Sequence, residues 1–225
     1  MKDLKEHIVE GLKIGANTKV NTYKYHPKTN KELKELIDEL IKKRGNNADL
    51  NDIDTSVITN MSKLFWGLDF NGDISNWDVS NANDMYGIFA YSKFNGDISN
   101  WDVSNVRDMY DMFWYSKFNG DISNWDVSNV EDMGSMFSES DFNGNISKWN
   151  VSNVTTMNNM FNQSKFNGDI SKWDVSKVNN MINMFYGSEF NGDISKWDVN
   201  NVKDMDNMFD ESPLEKNPPK WYVKK

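Results

Sequence analysis

The stretch Phe-Asn-Gly-Asp-Ile-Ser at residues 94–99, followed by Trp-Asp-Val-Ser-Asn-Val at residues 101–106, decides the fold because it recurs. Tryptophan keeps the same step of 24 residues as far as Trp221. A fixed period of this length is typical of repeat proteins, in which one small unit stacks on copies of itself. The Phe-Asn-Gly-Asp/Asn-Ile-Ser motif begins at Phe70, Phe94, Phe118, Phe142, Phe166 and Phe190.

The repeat also accounts for most of the large apolar side chains. All 13 Phe, 12 of the 13 Met and seven of the nine Trp fall at repeat positions. Only 38% of the residues are hydrophobic, so these bulky side chains must supply most of the core volume. We therefore expect the phenylalanine, methionine and tryptophan columns to be buried, which shifts the expected function from a single pocket to an extended face.

Composition excludes several classes of function. The absence of cysteine excludes disulfides and thiol chemistry, and both histidines, His7 and His26, lie outside the repeats. Residues 1–45 carry a net charge of +4 and the remainder −13, so the acidic repeats should repel nucleic acid. No apolar run is long enough for a signal peptide or a membrane span, and we expect no membrane insertion. The location is left unknown, with cytoplasmic and phage-associated settings both compatible.

Two domains are predicted. Residues 1–45 should form a helical N-terminal cap, with one helix at 3–13 and a second that Thr29 or Asn30 caps and that Gly45 follows as the C′ residue. Residues 46–225 should form about seven repeats. The first copy is degraded, and the last fails where Pro218 replaces the repeat isoleucine, as expected for terminal repeats that cap a stack.

The spacing inside one repeat predicts a strand, a helix and a turn. Residues 98–103, in which Ile98, Trp101 and Val103 are apolar, suit a strand, and the apolar spacing from Val106 to Phe113 suits a short helix. Asn-Gly-Asp at 119–121 suits a turn in which glycine supplies a positive φ. The predicted fold is therefore α/β, a solenoid of 24-residue strand–helix repeats.

The unit Trp-Asp-Val-Ser-Asn-Val-x-Asp-Met-x-x-Met-Phe, followed by Phe-Asn-Gly-Asp-Ile-Ser, resembles the short repeat of BspA-like bacterial surface proteins, a family with phage-encoded relatives. The resemblance covers about residues 46–223. It implies a right-handed, leucine-rich-repeat-like solenoid with roles in adhesion and protein binding. It does not identify a ligand.

The best candidate for a contact surface is a set of aromatic residues outside the core columns. The second half of the array has mostly polar residues at the same positions, so core packing does not explain the difference. Exposed Trp and Tyr favour interfaces and sugar faces. Packing against residues 1–45, or isolated exposed rings without a role, would explain them equally well. The six residues are Trp66, Tyr86, Tyr91, Tyr110, Trp114 and Tyr115.

Two columns of carboxylates form further candidates. Asp78, Asp102 and Asp126 should form an acidic stripe for a basic partner or a cation, unless each carboxylate bonds to its own loop. Asp73, Asp97 and Asp121 are weak candidates for calcium ligands at the Asn-Gly-Asp turns. The alternative is an asparagine ladder that satisfies turn backbone groups.

These observations predict a non-catalytic binding or adhesion module that works through protein–protein contacts. No catalytic residue, cofactor or firm metal site is predicted, because no Ser/His/Asp arrangement or phosphate loop occurs. A self-assembling structural component, for example of a phage particle, and a carbohydrate-binding face are the alternatives.

Overall fold

The fold departs from the predicted strand–helix architecture. In a computed structural model that describes residues 23–223, one α-helix, α1 (Asn30–Arg44), and one 3₁₀ helix, Pro213–Glu215, are present. Within that range there is no extended strand, only isolated parallel bridges. The prediction of an α/β solenoid of strand–helix repeats is therefore wrong. The predicted helix at residues 3–13 lies outside the described residues.

What forms instead is a stack of 24-residue rungs built from turns. We number them rung 1 (46–69) to rung 7 (190–213), so that rung 3 is 94–117 and rung 4 is 118–141. Alternate N–H groups along residues 109–115 donate to carbonyl oxygens of rung 4 at 2.9–3.0 Å. The backbone N–H groups of Met112 and Trp114 instead form hydrogen bonds within rung 3. Trp114 N–H, for example, donates to the carbonyl of Asp111 at 3.0 Å.

Left-handed backbone prevents the predicted helix. In rung 3, Asp111 has φ 57° and Tyr115 has φ 51°, and the same two positions are left-handed in every rung. Glycine occupies only three of these positions, Gly67, Gly87 and Gly187. A non-glycine residue held there costs roughly 1–2 kcal/mol, and an α-helix cannot continue through it.

The predicted strand is also a pair of turns. Trp101 N–H donates to the carbonyl of Ile98 at 3.1 Å, and Val106 N–H to that of Val103 at 2.9 Å. The apolar side chains still point inward, since Ile98, Trp101 and Val103 are buried while Asn100 and Asp102 are exposed. The alternation of buried and exposed residues is thus produced by turns rather than by a pleated strand.

Stacked aromatic side chains fill the core. Rings of the repeat phenylalanine from Phe70 to Phe190 lie 6.2–6.3 Å apart between rungs and nearly parallel. The ring of Phe113 in rung 3 also stacks on the ring of Phe118 in rung 4, with the two ring centres 4.3 Å apart. Each repeat tryptophan donates its indole N–H to a carbonyl 27 residues earlier, as Trp125 does to Ile98 at 3.1 Å. The core therefore combines stacked phenylalanine rings with tryptophan side chains whose buried indole N–H groups are hydrogen-bonded.

Glycine in the Asn-Gly-Asp turn is required for a different reason from the one predicted. Gly120 has no positive φ, but a Cβ placed there would lie 2.8 Å from the ring of Phe118. The phenylalanine of the same rung folds over this glycine, so that any side chain at residue 120 would clash with it.

Helix α1 covers the free end of rung 1. Thr29 accepts a hydrogen bond from Glu32 N–H as the N-cap, and Gly45 at φ 88° ends the helix. Leu33, Ile37 and Leu40 are fully buried in the core, and the side chain of Asn30 donates to the carbonyls of Asn60 and Ser62. These carbonyls occupy the positions at which later rungs accept hydrogen bonds from the rung before, so the helix satisfies groups that would otherwise lack a partner. None of the helices found between residues 23 and 223 is long and apolar enough to cross a membrane.

We predict that Trp125→Phe lowers the free energy of unfolding by about 2–4 kcal/mol, because it removes volume and leaves the buried carbonyl of Ile98 without its donor. Trp221→Phe is the matched control, since Trp221 makes the same bond to Ile194 at 3.0 Å but is half-buried, so water can replace the donor. Chemical denaturation of both variants should show a loss for Trp221→Phe no more than half as large. Equal losses would contradict a role for the buried indole hydrogen bond.

Candidate functional site

The six aromatic residues predicted as a contact surface form one connected cluster, which we call the aromatic patch. Trp66 lies 5.9 Å from Tyr91 and 6.0 Å from Trp114, and Tyr91 lies 4.7 Å from Trp114 in an edge-to-face contact. Tyr86 joins Trp66 to Tyr110, and Tyr115 extends the patch from Tyr91 at 5.1 Å. Among the described residues, each of these six rings contacts no aromatic ring outside the six.

Small residues make the patch possible. Trp66, Ala90 and Trp114 occupy equivalent positions in rungs 1 to 3, and the buried alanine between them allows the two indoles to meet. A Cβ on Gly87 would lie 2.6 Å from the Trp66 ring, and one on Gly134 would lie 2.6 Å from the Tyr110 ring. Each ring therefore rests on the glycine of the next rung.

Two patch residues hold strained backbone. Tyr91 and Tyr115 have φ 55° and 51° and are 42% and 55% exposed. Glycine fills the equivalent position in rungs 1 and 6, as Gly67 and Gly187. Glu139, Gln163 and Glu211 also adopt a positive φ at this position, so the backbone does not require tyrosine there.

The patch ends at a groove, because the aromatic columns stop at rung 4. The tyrosine column passes from Tyr110 to Gly134, and the tryptophan column from Trp114 to Ser138. The groove that results has a volume of about 290 Å³, with the two rings as one wall and polar groups elsewhere. Its lining residues are Tyr110, Asp111, Trp114, Ser135, Ser138, Glu139, Asn159 and Asn162.

Asp111 is the most deeply buried carboxyl group of the groove, with 5% of its surface exposed. Burial raises the pKa of Asp111 to about 6, against the smaller opposing effect of hydrogen bonds from Ser135 and Tyr86. Burial also raises the pKa values of Asp108 and Asp132 on the adjacent column. The groove is therefore an acidic site in which ionisation is opposed by burial.

A cation already occupies the other side of the patch. The amine of Lys63 lies 4.9 Å from the centre of the Trp66 ring and 4.8 Å from that of Tyr86. The charge of Lys63 and the hydroxyl of Tyr86 both favour the ionised form of Asp111, although burial outweighs them and keeps its pKa raised. Aromatic rings and a carboxylate thus hold an ammonium group here by cation–π and charge attraction.

The acidic stripe and the calcium candidates are all exposed, but each carboxylate is engaged in its own turn. Asp102 accepts hydrogen bonds from Ser104 N–H at 3.1 Å and its hydroxyl at 2.6 Å. Asp97 accepts one from Ser99 N–H at 2.9 Å, which lowers the pKa of Asp97. Asn145 does the same for Ser147, so a neutral acceptor suffices. Equivalent bonds hold Asp73, Asp78, Asp121 and Asp126.

The asparagine ladder, offered as an alternative to calcium, is present. Asn95 accepts a hydrogen bond on its side-chain oxygen from Asn119 N–H at 2.8 Å, and Asn119 accepts one from Asn143 N–H at 2.9 Å. Between residues 23 and 223 no three His, Asp or Glu side chains are grouped as a metal site would require. The column is thus explained by contacts between rungs.

Sequence reasoning missed Lys63, Asp111 and the groove. Residue 111 has equivalents Gly87, Ser135 and Asn159 in neighbouring rungs, and only Asp111 introduces a negative charge in this column. This single negative charge in an otherwise neutral or basic column could have identified Asp111 as a candidate site residue from the sequence. The left-handed backbone that buries Asp111 was not visible, because a helix was expected there.

We predict that Asp111→Asn stabilises the protein by about 1–3 kcal/mol at pH 7.5 and has little effect near pH 4. Because the folded pKa is raised, the native state binds the proton more tightly, so stability falls as pH rises from about 4 to 6. Asn fits the left-handed backbone, since Asn159 adopts φ 55° at the same position. Thermal unfolding at both pH values checks this.

The control for that measurement is Asp126→Asn, which removes the same charge from an exposed carboxyl. Hydrogen bonds from Ser128 lower the pKa of Asp126, so its loss should slightly destabilise the protein at pH 7.5. A rise in melting temperature in both variants would show a general charge effect and contradict the assignment to Asp111.

We predict that Tyr115→Gly changes the free energy of unfolding by no more than about 1 kcal/mol, because relief of left-handed strain offsets the greater entropy of the unfolded chain. Gln163→Gly is the matched control, since Gln163 has φ 49° at the same position without a ring. Chemical denaturation should give similar values for the two. A much larger loss in Tyr115→Gly would show that the ring is structural.

Comparison with known proteins gives one family. No curated protein and no solved structure matches the sequence. A profile described as "Mycoplasma protein of unknown function, DUF285" matches twice, over residues 31–141 and 115–221. The two matches together cover α1 from its second residue and all seven rungs, so the chain belongs to the DUF285 repeat family.

Proposed function

We propose that this chain is a non-catalytic binding module that contacts a protein partner through the aromatic patch. The observation that carries the proposal is that six rings which the core does not use converge on one face of rungs 1 to 3. Trp and Tyr are enriched at protein interfaces and dominate their binding energy.

Comparison with the equivalent residues of other rungs gives further support. Tyr91 and Tyr115 are exposed at a left-handed position that Gly67 and Gln163 also fill. Because the backbone accepts a small or a polar residue there, two exposed rings are more readily explained by a contact with another molecule. The polar second half of the array, with Glu139 and Gln163 at the same position, has no such cluster.

The environment of the carboxylates supports a role without catalysis. Acid–base catalysis needs titratable groups with different environments, whereas Asp97, Asp102 and their equivalents occupy the same kind of turn in rung after rung. Asp111 differs, but no histidine lines its groove. The resemblance of the repeat to BspA-like surface proteins supports adhesion as the setting for this binding.

We expect the double variant Tyr91→Gly/Tyr115→Gly to bind the partner at least about 30-fold more weakly, since loss of hot-spot residues has effects of this size. The immobilised chain, its double variant and Gln163→Gly would capture proteins from an extract of the organism that encodes it. Candidates identified by mass spectrometry would then be purified and titrated against all three. A partner that Gln163→Gly retains and the double variant loses supports the proposal.

Equal capture by all three proteins would contradict the aromatic patch as the contact. Light scattering separates the main alternative, because a concentration-dependent mass that disappears in the double variant would show self-assembly through the same face. Retention on a glycan array with no captured protein would show a carbohydrate-binding face instead.

A further inference from the structure

The groove at the end of the aromatic patch has the charge and shape to receive a cationic side chain. Tyr110 and Trp114 supply its aromatic lining, Asp111 its buried carboxyl group and Glu139 a second carboxylate. No lysine, arginine or histidine is among its lining residues. A volume of about 290 Å³ accommodates one long side chain rather than a folded surface.

The backbone does not require a charge at Asp111. Asn159, Asn183 and Asn207 take the same left-handed position in rungs 5 to 7, so a neutral amide supports the backbone equally well. A buried carboxylate is costly unless a cation or several donors compensate it. The groups that favour its ionised form are the neutral hydroxyls of Ser135 and Tyr86 and the charge of Lys63, which does not line the groove, and together they do not offset burial.

Lys63 is an example of a cationic side chain bound by the rings of the aromatic patch. Its amine lies within 5 Å of the centres of the Trp66 and Tyr86 rings, in reach of the charge of Asp111. Trp114 is the equivalent of Trp66 two rungs later, but the residue equivalent to Lys63 there is Asp111 itself. The tryptophan of rung 3 thus has an anion beside it where the tryptophan of rung 1 has a cation.

We propose that the groove takes a lysine or arginine side chain of the protein partner, which stacks on Trp114 and Tyr110 and pairs with Asp111 and Glu139. This inference rests on the proposed function and names the chemistry of the partner at that site. Charge favours this occupant over a saccharide, because the lining contains two carboxylates and no cation, and a neutral sugar would add no positive charge to it.

The test uses acetyl-Gly-Arg-Gly-amide as the probe and its citrulline counterpart, which has the same shape without the charge. The indole N–H signal of Trp114, assigned by its loss in Trp114→Phe, would be followed by NMR during titration at pH 7.5. We expect a dissociation constant on the order of 1 mM for the arginine peptide at low salt. The citrulline peptide should bind at least about tenfold more weakly.

Asp111→Asn should weaken binding of the arginine peptide at least about tenfold. Asp126→Asn, which removes the same charge from an exposed turn, should change the dissociation constant by less than about twofold. Binding should also weaken as pH falls through about 6, as Asp111 takes up a proton. The titratable groups facing Asp111 are Tyr86 and Lys63 from earlier rungs, Asp132 from rung 4 and Glu139 across the groove.

Equal binding of the two peptides, equal losses in the two Asn variants or no shift of the Trp114 signal would each overturn the inference. A shift with monosaccharides but not with the arginine peptide would overturn it in favour of a sugar. If the double tyrosine variant loses the partner and Asp111→Asn keeps full affinity, the groove inference fails while the proposed function stands. If the arginine peptide binds but partner capture is unchanged in the tyrosine variants, the proposed function fails.

Discussion

The hydrogen bonds between successive rungs are the interaction on which the rest of this structure depends. Every second N–H group of residues 109–115 points to rung 4, and the same bonds recur along the stack. They fix each residue directly beside its equivalent 24 positions later, so that identical side chains form columns. The phenylalanine stacks, the indole bonds and the asparagine ladder all follow from this register.

The same bonds require the left-handed residues that replaced the predicted helix. For alternate N–H groups to point out of the rung, the chain must reverse its local curl, and residues such as Asp111 and Tyr115 do so with a positive φ. This places two left-handed positions in every rung, and in rungs 1 to 6 the N–H group of each donates a hydrogen bond to the next rung, as Asp111 does to Gly134 at 2.9 Å. The strain is spread along the stack instead of being confined to one site.

The period made the core predictable from sequence, but not the backbone. Phenylalanine and tryptophan at 24-residue spacing must be buried whatever the local structure, and Phe118 and Trp125 are. The cap residues Thr29 and Gly45 were also predictable, because helix ends depend on local chemistry. The apolar spacing from Val106 to Phe113, by contrast, fits a helix as well as a run of turns, and only the contacts between rungs decide between them. The aromatic patch was recognisable as a departure from the repeat, whereas the groove depends on backbone that the sequence did not reveal.

Each column shows which residues the backbone accepts at that position, so the residues of the patch can be compared with their equivalents in other rungs. Glycine at the position of Tyr115 and asparagine at the position of Asp111 satisfy the same backbone in other rungs. Left-handed backbone alone does not distinguish the patch, because Glu139, Gln163 and Glu211 share it. What distinguishes the patch is that the exposed tyrosine rings and the buried charge of Asp111 lie beside the same cluster of rings. Their combination beside Trp114, where the aromatic columns end, fits the proposed binding surface for a basic protein segment.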